Sequence, residues 1–147
     1  MADAVRAGDH GKGNAMSLTL SASLQAAVFD ALSGDAELAA LAGGVFDAEP
    51  EGAPDLYVAL GDETVRDQSD VTGPGAAHLF RVGVVTTREG FAGAKRAAAR
   101  VVAVLGGGLA LPEGRLVSLT FRGARARRSR RDGTRRVDLT FRARTEL

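Results

Sequence analysis

The most regular hydrophobic pattern of the chain lies near its C-terminus, in two similar segments on either side of Asp132-Gly133. Residues 117–125 and 137–144 each carry Val, Leu and Phe at alternate positions, which is the period of a half-buried β-strand. A three-residue loop, Arg131 to Gly133, brings all six apolar side chains to one face, whereas a two-residue loop divides them between both faces. The pattern therefore predicts a β-hairpin with a three-residue loop.

This register makes the outward face of the hairpin strongly basic. It sets Phe141 opposite Gly123 on the apolar face. On the other face it places four arginines in two cross-strand pairs, Arg122 with Arg142 and Arg128 with Arg136. Like charges directly opposite each other are destabilising. We therefore interpret the hairpin as a docking element that binds a negatively charged partner.

Periodicity in the rest of the chain predicts helices and further strands. Three helices are predicted. The first begins at Thr19 or Ser21 and ends at Ser33, the second covers 35–43, and the third covers 89–105. The predicted strands are 45–47, 56–60 and 78–87. Residues 61–76 are expected to form a loop. Because the strands follow one another without regular βαβ alternation, we predict an α+β fold, a mainly antiparallel sheet of four to five strands with helices packed on one face.

Length and composition predict a single domain. The chain has 147 residues, 45% of them hydrophobic, which is enough for a sizeable core. Residues 1–15 are polar, rich in glycine and without periodicity, so we expect a flexible tail before one domain at 16–147. The N-terminus has no apolar signal region, and no run approaches 18 apolar residues. Neither a signal peptide nor contact with a membrane is expected.

The net charge of +1 conceals a division along the chain. Residues 1–114 carry 8 Lys and Arg against 15 Asp and Glu, a balance of −7, whereas residues 115–147 carry 11 Arg against 3 acids, a balance of +8. Opposite charge on two parts of one chain favours head-to-tail self-association, in which the basic hairpin of one copy meets an acidic surface of the next.

No catalytic, cofactor or metal site is predicted. The chain has no cysteine, and neither His10 nor His78 belongs to a motif with a serine or a carboxylate, so no catalytic triad or zinc site is indicated. Four acidic residues in the predicted loop lack the calcium-loop pattern and are interpreted as facing a partner. They are Asp62, Glu63, Asp67 and Asp70. We conclude that the protein is not an enzyme and needs no cofactor.

Several short motifs occur in an order and spacing typical of one family. They are the helix Ser23–Leu32, the Gly34-Asp35 break, Val45-Phe46-Asp47, the segment Pro54–Gly61 with Tyr57, and His78–Val85 before an Ala-rich helix. In this order they resemble the tail-completion or tail-terminator family of long-tailed phages and gene transfer agents, over about residues 17–122. The chain departs from the family near Val85-Thr86, where a tryptophan is frequent, and in the length of its arginine-rich hairpin tip.

The resemblance implies a fold, a function and partners. Members of this family are small α+β proteins without catalytic residues. They form a hexameric ring that caps the tail tube, stops its polymerisation and presents a surface to the head-side connector. The implied partners are copies of the chain itself, the tail tube protein, the connector or stopper protein, and DNA passing through the ring lumen. Such a protein is assembled in the cytoplasm and released in the tail or neck of the particle.

A nucleic-acid-binding module that uses the basic hairpin is the alternative, because a basic β-ribbon can enter a groove of DNA. Two features count against it. The hairpin tip carries no aromatic residue for base stacking, and the remainder of the chain is acidic and would repel phosphates.

Overall fold

The computed structural model describes residues 2–71 and 73–147, with side chains described from residue 15 onward. In chain order the elements are α1 (Ala2–Ser33), α2 (Ala36–Leu41), β1 (Val45–Phe46), β2 (Leu56–Asp67), β3 (Gly75–Thr86), α3 (Ala92–Gly106), β4 (Arg115–Arg128) and β5 (Arg135–Glu146). The strands form one sheet in the order β1-β2-β3-β5-β4. Only the pairing of β1 with β2 is parallel within this sheet. The predicted α+β fold is confirmed.

The core lies between one face of the sheet and a layer of helices. Helix α1 packs over β1, β2 and β3, and α3 packs beside it over β3, β5 and β4. The apolar side of α1 recurs at helical spacing in Leu20, Leu24, Val28 and Leu32, all buried, because residues four apart share one face of a helix. The central strand β5 supplies Phe141, which is 0% exposed.

The Ala15–Ser33 part of α1 is long and apolar enough to cross a membrane by length and composition alone, although its apolar residues do not form an unbroken run. A core helix of a soluble protein has the same length and composition. Here the buried side chains of this segment pack against the sheet, in the same cluster as Phe141 and Val101 of α3. About 39% of this segment is buried inside the domain, so the core accounts for part of its apolarity.

Several predicted boundaries are wrong, and β3 begins at Gly75 rather than at 78. Residues 15–18 are already helical, so α1 does not begin at Thr19 or Ser21. Helix α3 begins at Ala92 rather than at 89, because Gly90 has a φ of +75°, which is not helical. The loop predicted at 61–76 is a strand as far as Asp67. The predicted flexible tail falls mostly on residues 1–14, whose side chains lie outside the described residues, and it stays a prediction.

The extension of β2 depends on a β-bulge. The register with β3 shifts by one residue between Leu60 and Glu63, so Gly61 and Asp62 are absorbed in the irregularity. A bulge moves every following side chain to the opposite face. As a result Glu63 lies opposite Phe80, and Val65 lies opposite His78, on the helix side of the sheet.

The hairpin forms as predicted but with a different register. Its strands end at Arg128 and Arg135, and residues 129–134 close the turn with a bond from Ser129 N–H to Thr134 O of 2.7 Å. The predicted three-residue loop is therefore wrong. Gly133 does adopt the left-handed conformation, with a φ of +75°.

Two irregularities in β4, at Val117 and at Arg122, change the cross-strand partners again. Phe141 lies opposite Phe121 rather than Gly123. The predicted pairs Arg122–Arg142 and Arg128–Arg136 do not form. Arg142 lies opposite Thr120, Arg136 opposite Arg127, and Arg128 opposite Arg135. Arg122 lies in the second irregularity and has no directly opposite residue in the register. The apolar residues of β5 face the core, so the predicted period of β5 is correct. The predicted period of β4 is broken by the two irregularities, which leave Val117 43% exposed, and the predicted register is wrong.

Asp35 joins α2 to α3. Its carboxylate accepts the Leu38 N–H at 2.8 Å as the N-cap of α2 and accepts two bonds from Arg100 at 2.8 and 2.7 Å. The bonds from Arg100 and then Leu38 lower the pKa of Asp35 to about 2 from 3.8.

We expect this carboxylate to make stability depend on acid pH. Because the folded-state pKa is depressed, its contribution is complete above about pH 4 and is lost as the pH falls toward 2. Asp35→Asn keeps an N-cap but does not titrate. The variant should therefore be less stable than the original chain at pH 6, and the difference should shrink by pH 2.5. Urea denaturation at both pH values measures this, and a constant difference contradicts it.

Candidate docking surface

The face of the sheet opposite the helices carries a cluster of arginines. In a strand alternate side chains point to opposite faces, so residues between buried core positions face away from the helices. Arg81 lies between buried Phe80 and Val82, and Arg142 between buried Phe141 and Ala143. Arg66 of β2 and Arg122 and Arg125 of β4 line the same side. We call Arg66, Arg81, Arg122, Arg125 and Arg142 the arginine face.

Two shallow grooves cross the arginine face. One encloses about 540 Å³ and contains Arg81, Arg122 and Arg125. The other encloses about 350 Å³ and contains Arg66, Arg122 and Arg142. Leu79 and Arg122 line both grooves, so the two form one continuous basic surface across β2, β3, β5 and β4.

The five side chains of the arginine face are exposed. Within the part of the chain whose side chains are described, none of the five has an ion pair or side-chain hydrogen bond. Guanidinium groups bind carboxylates and phosphates through two parallel hydrogen bonds. A cluster of such groups without counter-charge repels itself and attracts anions. The surface is therefore suited to an anionic partner.

Next to the arginine face, a second group of charges is neutralised within the chain. Arg136 donates to Glu49 at 2.9 Å and lies 3.5 Å from Asp138, which also bonds Arg127 at 3.3 Å. The Tyr57 hydroxyl donates to Glu49 at 2.5 Å. Burial and this bond raise the pKa of Tyr57 to about 12. Burial alone would raise the pKa of Glu49, but the bonds from Tyr57 and Arg136 lower it below its usual value.

The four arginines that we predicted to bind an anionic partner lie in three different environments. Arg122 and Arg142 belong to the arginine face. Arg136 is held by Glu49 and Asp138, so it serves internal ion pairs. Arg128 is exposed at the hairpin tip, two residues beyond Ala126, and so lies on the helix side of the sheet.

The four acidic residues that we predicted to face a partner are also divided. Glu63 points to the helix side, where Ser21 Oγ donates to it at 2.6 Å and His78 Nδ1 lies 3.1 Å away. Asp67 accepts bonds from Ser69 in the loop, and Asp70 lies 3.6 Å from Arg144. Asp62 remains exposed in the bulge of β2. These residues do not form one acidic patch.

His78 is the most buried titratable group on the sheet. Its side chain is 0% exposed, and its Nε2 lies 2.8 Å from Thr145 Oγ1. Together with Ser21 and Glu63 it joins α1, β2, β3 and β5 through hydrogen bonds inside the domain. Within the described residues no group of three or more His, Cys, Asp or Glu is arranged to hold a metal ion. The network is therefore a structural link between helix and sheet.

Sequence reasoning missed Arg66, Arg81 and Arg125 as members of the surface. Arg81 could have been found, because the alternation of Phe80, Val82 and Val84 already places it on the outer face. Arg66 could not, because residues 61–76 looked like a loop. Arg125 shares its face with Asp138 only in the shifted register of the hairpin.

The exposed chemistry of this small α+β domain is an arginine-lined sheet face, which is suited to an anionic neighbour. Residues 26–146 match the family model described as tail completion protein gp17. The chain therefore belongs to this family of structural proteins of phage-like particles, and the resemblance inferred from its motifs is confirmed.

A solved structure supports the same family. A chain in a structure described as the virion of a native gene transfer agent particle is 52% identical to this chain, with a TM-score of 0.79. The match covers 86% of this chain and 97% of that chain. Comparison with curated protein sequences gives no match.

Proposed function

We propose that the protein is the tail terminator of a phage-like particle, a ring that caps the tail tube, stops its polymerisation and joins it to the head-side connector. The observation that carries this proposal is the 52% identity, over 86% of the chain, to a chain of a gene transfer agent virion. The proposed number of six subunits in the ring follows from the resemblance to tail terminators. Assembly takes place in the cytoplasm, and the ring leaves the cell within the particle.

The charge distribution supports a subunit that contacts different neighbours through different surfaces. The arginine face is one side of a single sheet, and the helices cover the other side. A flat basic surface of this kind suits a carboxylate-bearing surface of the tube protein or of the connector or stopper protein. DNA passes through the lumen of the ring in this proposal.

Loss of the protein should leave tails of abnormal length that are not joined to heads. A terminator ends polymerisation by covering the growing end of the tube, so its absence leaves that end open. We expect electron microscopy of particles from cells lacking the protein to show elongated tubes and separate heads. Restoring the chain should recover tails of uniform length. Tails of normal length joined to heads without the protein contradict the proposal.

A nucleic-acid-binding module is the second candidate, favoured by the arginine face, whose five arginines have no ion pair among the residues with described side chains. The two functions differ in what an isolated subunit does. A terminator forms rings, whereas a DNA-binding module remains small and binds duplex DNA with an affinity that falls steeply as salt rises. Light scattering and DNA titration on the same sample separate them.

A further inference from the structure

The helix layer has an uncovered apolar groove at each of its two outer edges. One lies between α3 and β4 at the β4 edge of the sheet, and the other lies along α1 at the β1 edge. Because the strand order is β1-β2-β3-β5-β4, these edges are at opposite ends of the same sheet. We call them the α3 groove and the α1 groove.

The α3 groove encloses about 560 Å³. Helix α3 lines it with Lys95, Ala98, Ala99 and Val102, and the hairpin lines it with Phe121, Ala124, Ala126, Val137 and Leu139. The positions on α3 follow the i, i+3, i+4, i+7 spacing of one helical face. The groove is open because its alanines are too small to fill the space between helix and strand.

Phe121 is the largest apolar group at this groove. It packs against Phe141 with ring centroids 5.7 Å apart, yet 42% of it remains exposed. Ala99, Ala124 and Ala126 are also exposed. An aromatic residue surrounded by exposed small apolar residues is typical of the centre of a protein–protein interface.

The α1 groove encloses about 350 Å³. Its floor is apolar and consists of Ala22, Ala26 and Phe29, and its rim carries Asp30 and Asp47. Asp47 directly follows β1 and accepts a bond from Gln25 at 2.5 Å. The two exposed carboxylates make the rim of this groove negative.

The rim of the α3 groove has the opposite charge. Lys95 lines it, and Arg128 lies on the same side of the sheet, two residues beyond Ala126 of the groove. Arg135 is the strand partner of Arg128. One end of the helix layer therefore has an apolar groove with a basic rim, and the other end has an apolar groove with an acidic rim.

We propose that the α3 groove of one copy binds the α1 side of a second copy, and that this head-to-tail contact is the subunit interface of the ring. The contact joins two different surfaces of the same chain, so it repeats from copy to copy and closes when the rotation between copies allows. It buries Phe121 against the α1 floor and brings Lys95 and Arg128 toward Asp30 and Asp47. A two-fold contact of like grooves would bring like charges together. This inference rests on the ring proposed above.

Two substitutions block one surface each. Ala99→Glu puts a carboxylate into the α3 groove, where it faces the acidic rim of the next copy, and Ala26→Glu puts one onto the α1 floor. Both alanines are exposed, so the subunit should keep its fold, which thermal unfolding monitored by circular dichroism checks. A carboxylate buried in an apolar contact is strongly unfavourable. Each variant alone should self-associate at least about tenfold more weakly, a loss of about 1.4 kcal/mol.

The mixture of the two variants gives the decisive result. Ala99→Glu retains an intact α1 groove, and Ala26→Glu retains an intact α3 groove, so one productive contact can form between them. Light scattering of a 1:1 mixture should show a heterodimer and no ring, because the remaining surfaces carry facing carboxylates. Ala103→Glu, an exposed position of α3 outside the groove, should assemble like the original chain.

The other outcomes overturn the inference in distinguishable ways. If both variants form rings, the contact is wrong and the ring stands. If Ala99→Glu is a monomer and Ala26→Glu still forms rings, the α3 groove binds a surface of the next copy other than the α1 groove. If Ala99→Glu lowers the stability of the full chain but not of a chain beginning at Met16, residues 1–15 occupy the groove. An original chain that stays monomeric at every concentration contradicts the ring itself.

Discussion

Replacing Phe141 by alanine is expected to lower the free energy of unfolding by about 3–5 kcal/mol, the usual range for a buried phenylalanine in a core. Phe141 is 0% exposed and lies on β5, between β3 and β4 in the sheet. Its ring stacks on Phe80 at 5.3 Å and contacts Phe121 at 5.7 Å. Removing it leaves a cavity beneath α3 that neighbouring strands cannot close without breaking their pairing.

Phe121→Ala is the matched control for this change. It removes the same side chain from the directly opposite position of β4, but one that is 42% exposed, so we expect a loss of about 1–2 kcal/mol. Urea denaturation at subunit concentrations too low for assembly measures both variants. Equal losses would show that Phe141 is not the centre of the core. A small loss of stability with a large loss of assembly in Phe121→Ala agrees with the proposed subunit contact.

The parts of the fold that followed from the sequence are those with an unbroken period. The sequence indicates the core side of α1, because Leu20, Leu24 and Val28 recur at helical spacing, and it indicates β5, because Val137, Leu139 and Phe141 alternate. Both elements have one buried face along their length, so burial repeats in the sequence with the period of the backbone.

The parts that did not follow are those where a bulge interrupts the period. In β2 the irregularity at Gly61 and Asp62 moves Glu63 inward, where it bonds Ser21 and His78. A glutamate after Gly-Asp looks like part of a loop when only the sequence is considered. Its partners are 42 and 15 residues away in the chain, and no local pattern indicates such distant contacts.

The candidate surface shows the same limit. The excess of arginine after residue 114 identifies the hairpin as basic, because net charge does not depend on the strand register. Which arginines belong to the arginine face does depend on the strand register. Arg136 was expected to dock but is held by Glu49, 87 residues away in sequence, whereas Arg66 and Arg81 come from strands outside the basic segment.

Replacing Arg122 and Arg142 together by serine should greatly reduce head–tail joining while leaving the subunit folded. Both belong to the arginine face and line one groove with Arg66. Neither has an ion pair or a side-chain hydrogen bond among the described residues, so their removal breaks no such bond within the subunit and relieves repulsion between cations. Against a partner, the loss of two charge-assisted contacts at about 1.5–3 kcal/mol each weakens docking by at least roughly a hundredfold. Counting joined particles by electron microscopy measures the effect.

The matched control is Arg130→Ser with Arg131→Ser, which removes the same charge from the exposed turn of the hairpin and should leave joining unchanged. Binding of the subunit to purified tube protein, connector protein and duplex DNA then identifies the anionic partner. If the double variant at Arg122 and Arg142 loses binding to one of the two proteins only, that protein docks on the arginine face. If it loses DNA binding only, and the salt dependence of DNA binding becomes less steep by about two contacts, the surface lines the DNA path. Full head–tail joining by the double variant contradicts a docking role for these two arginines.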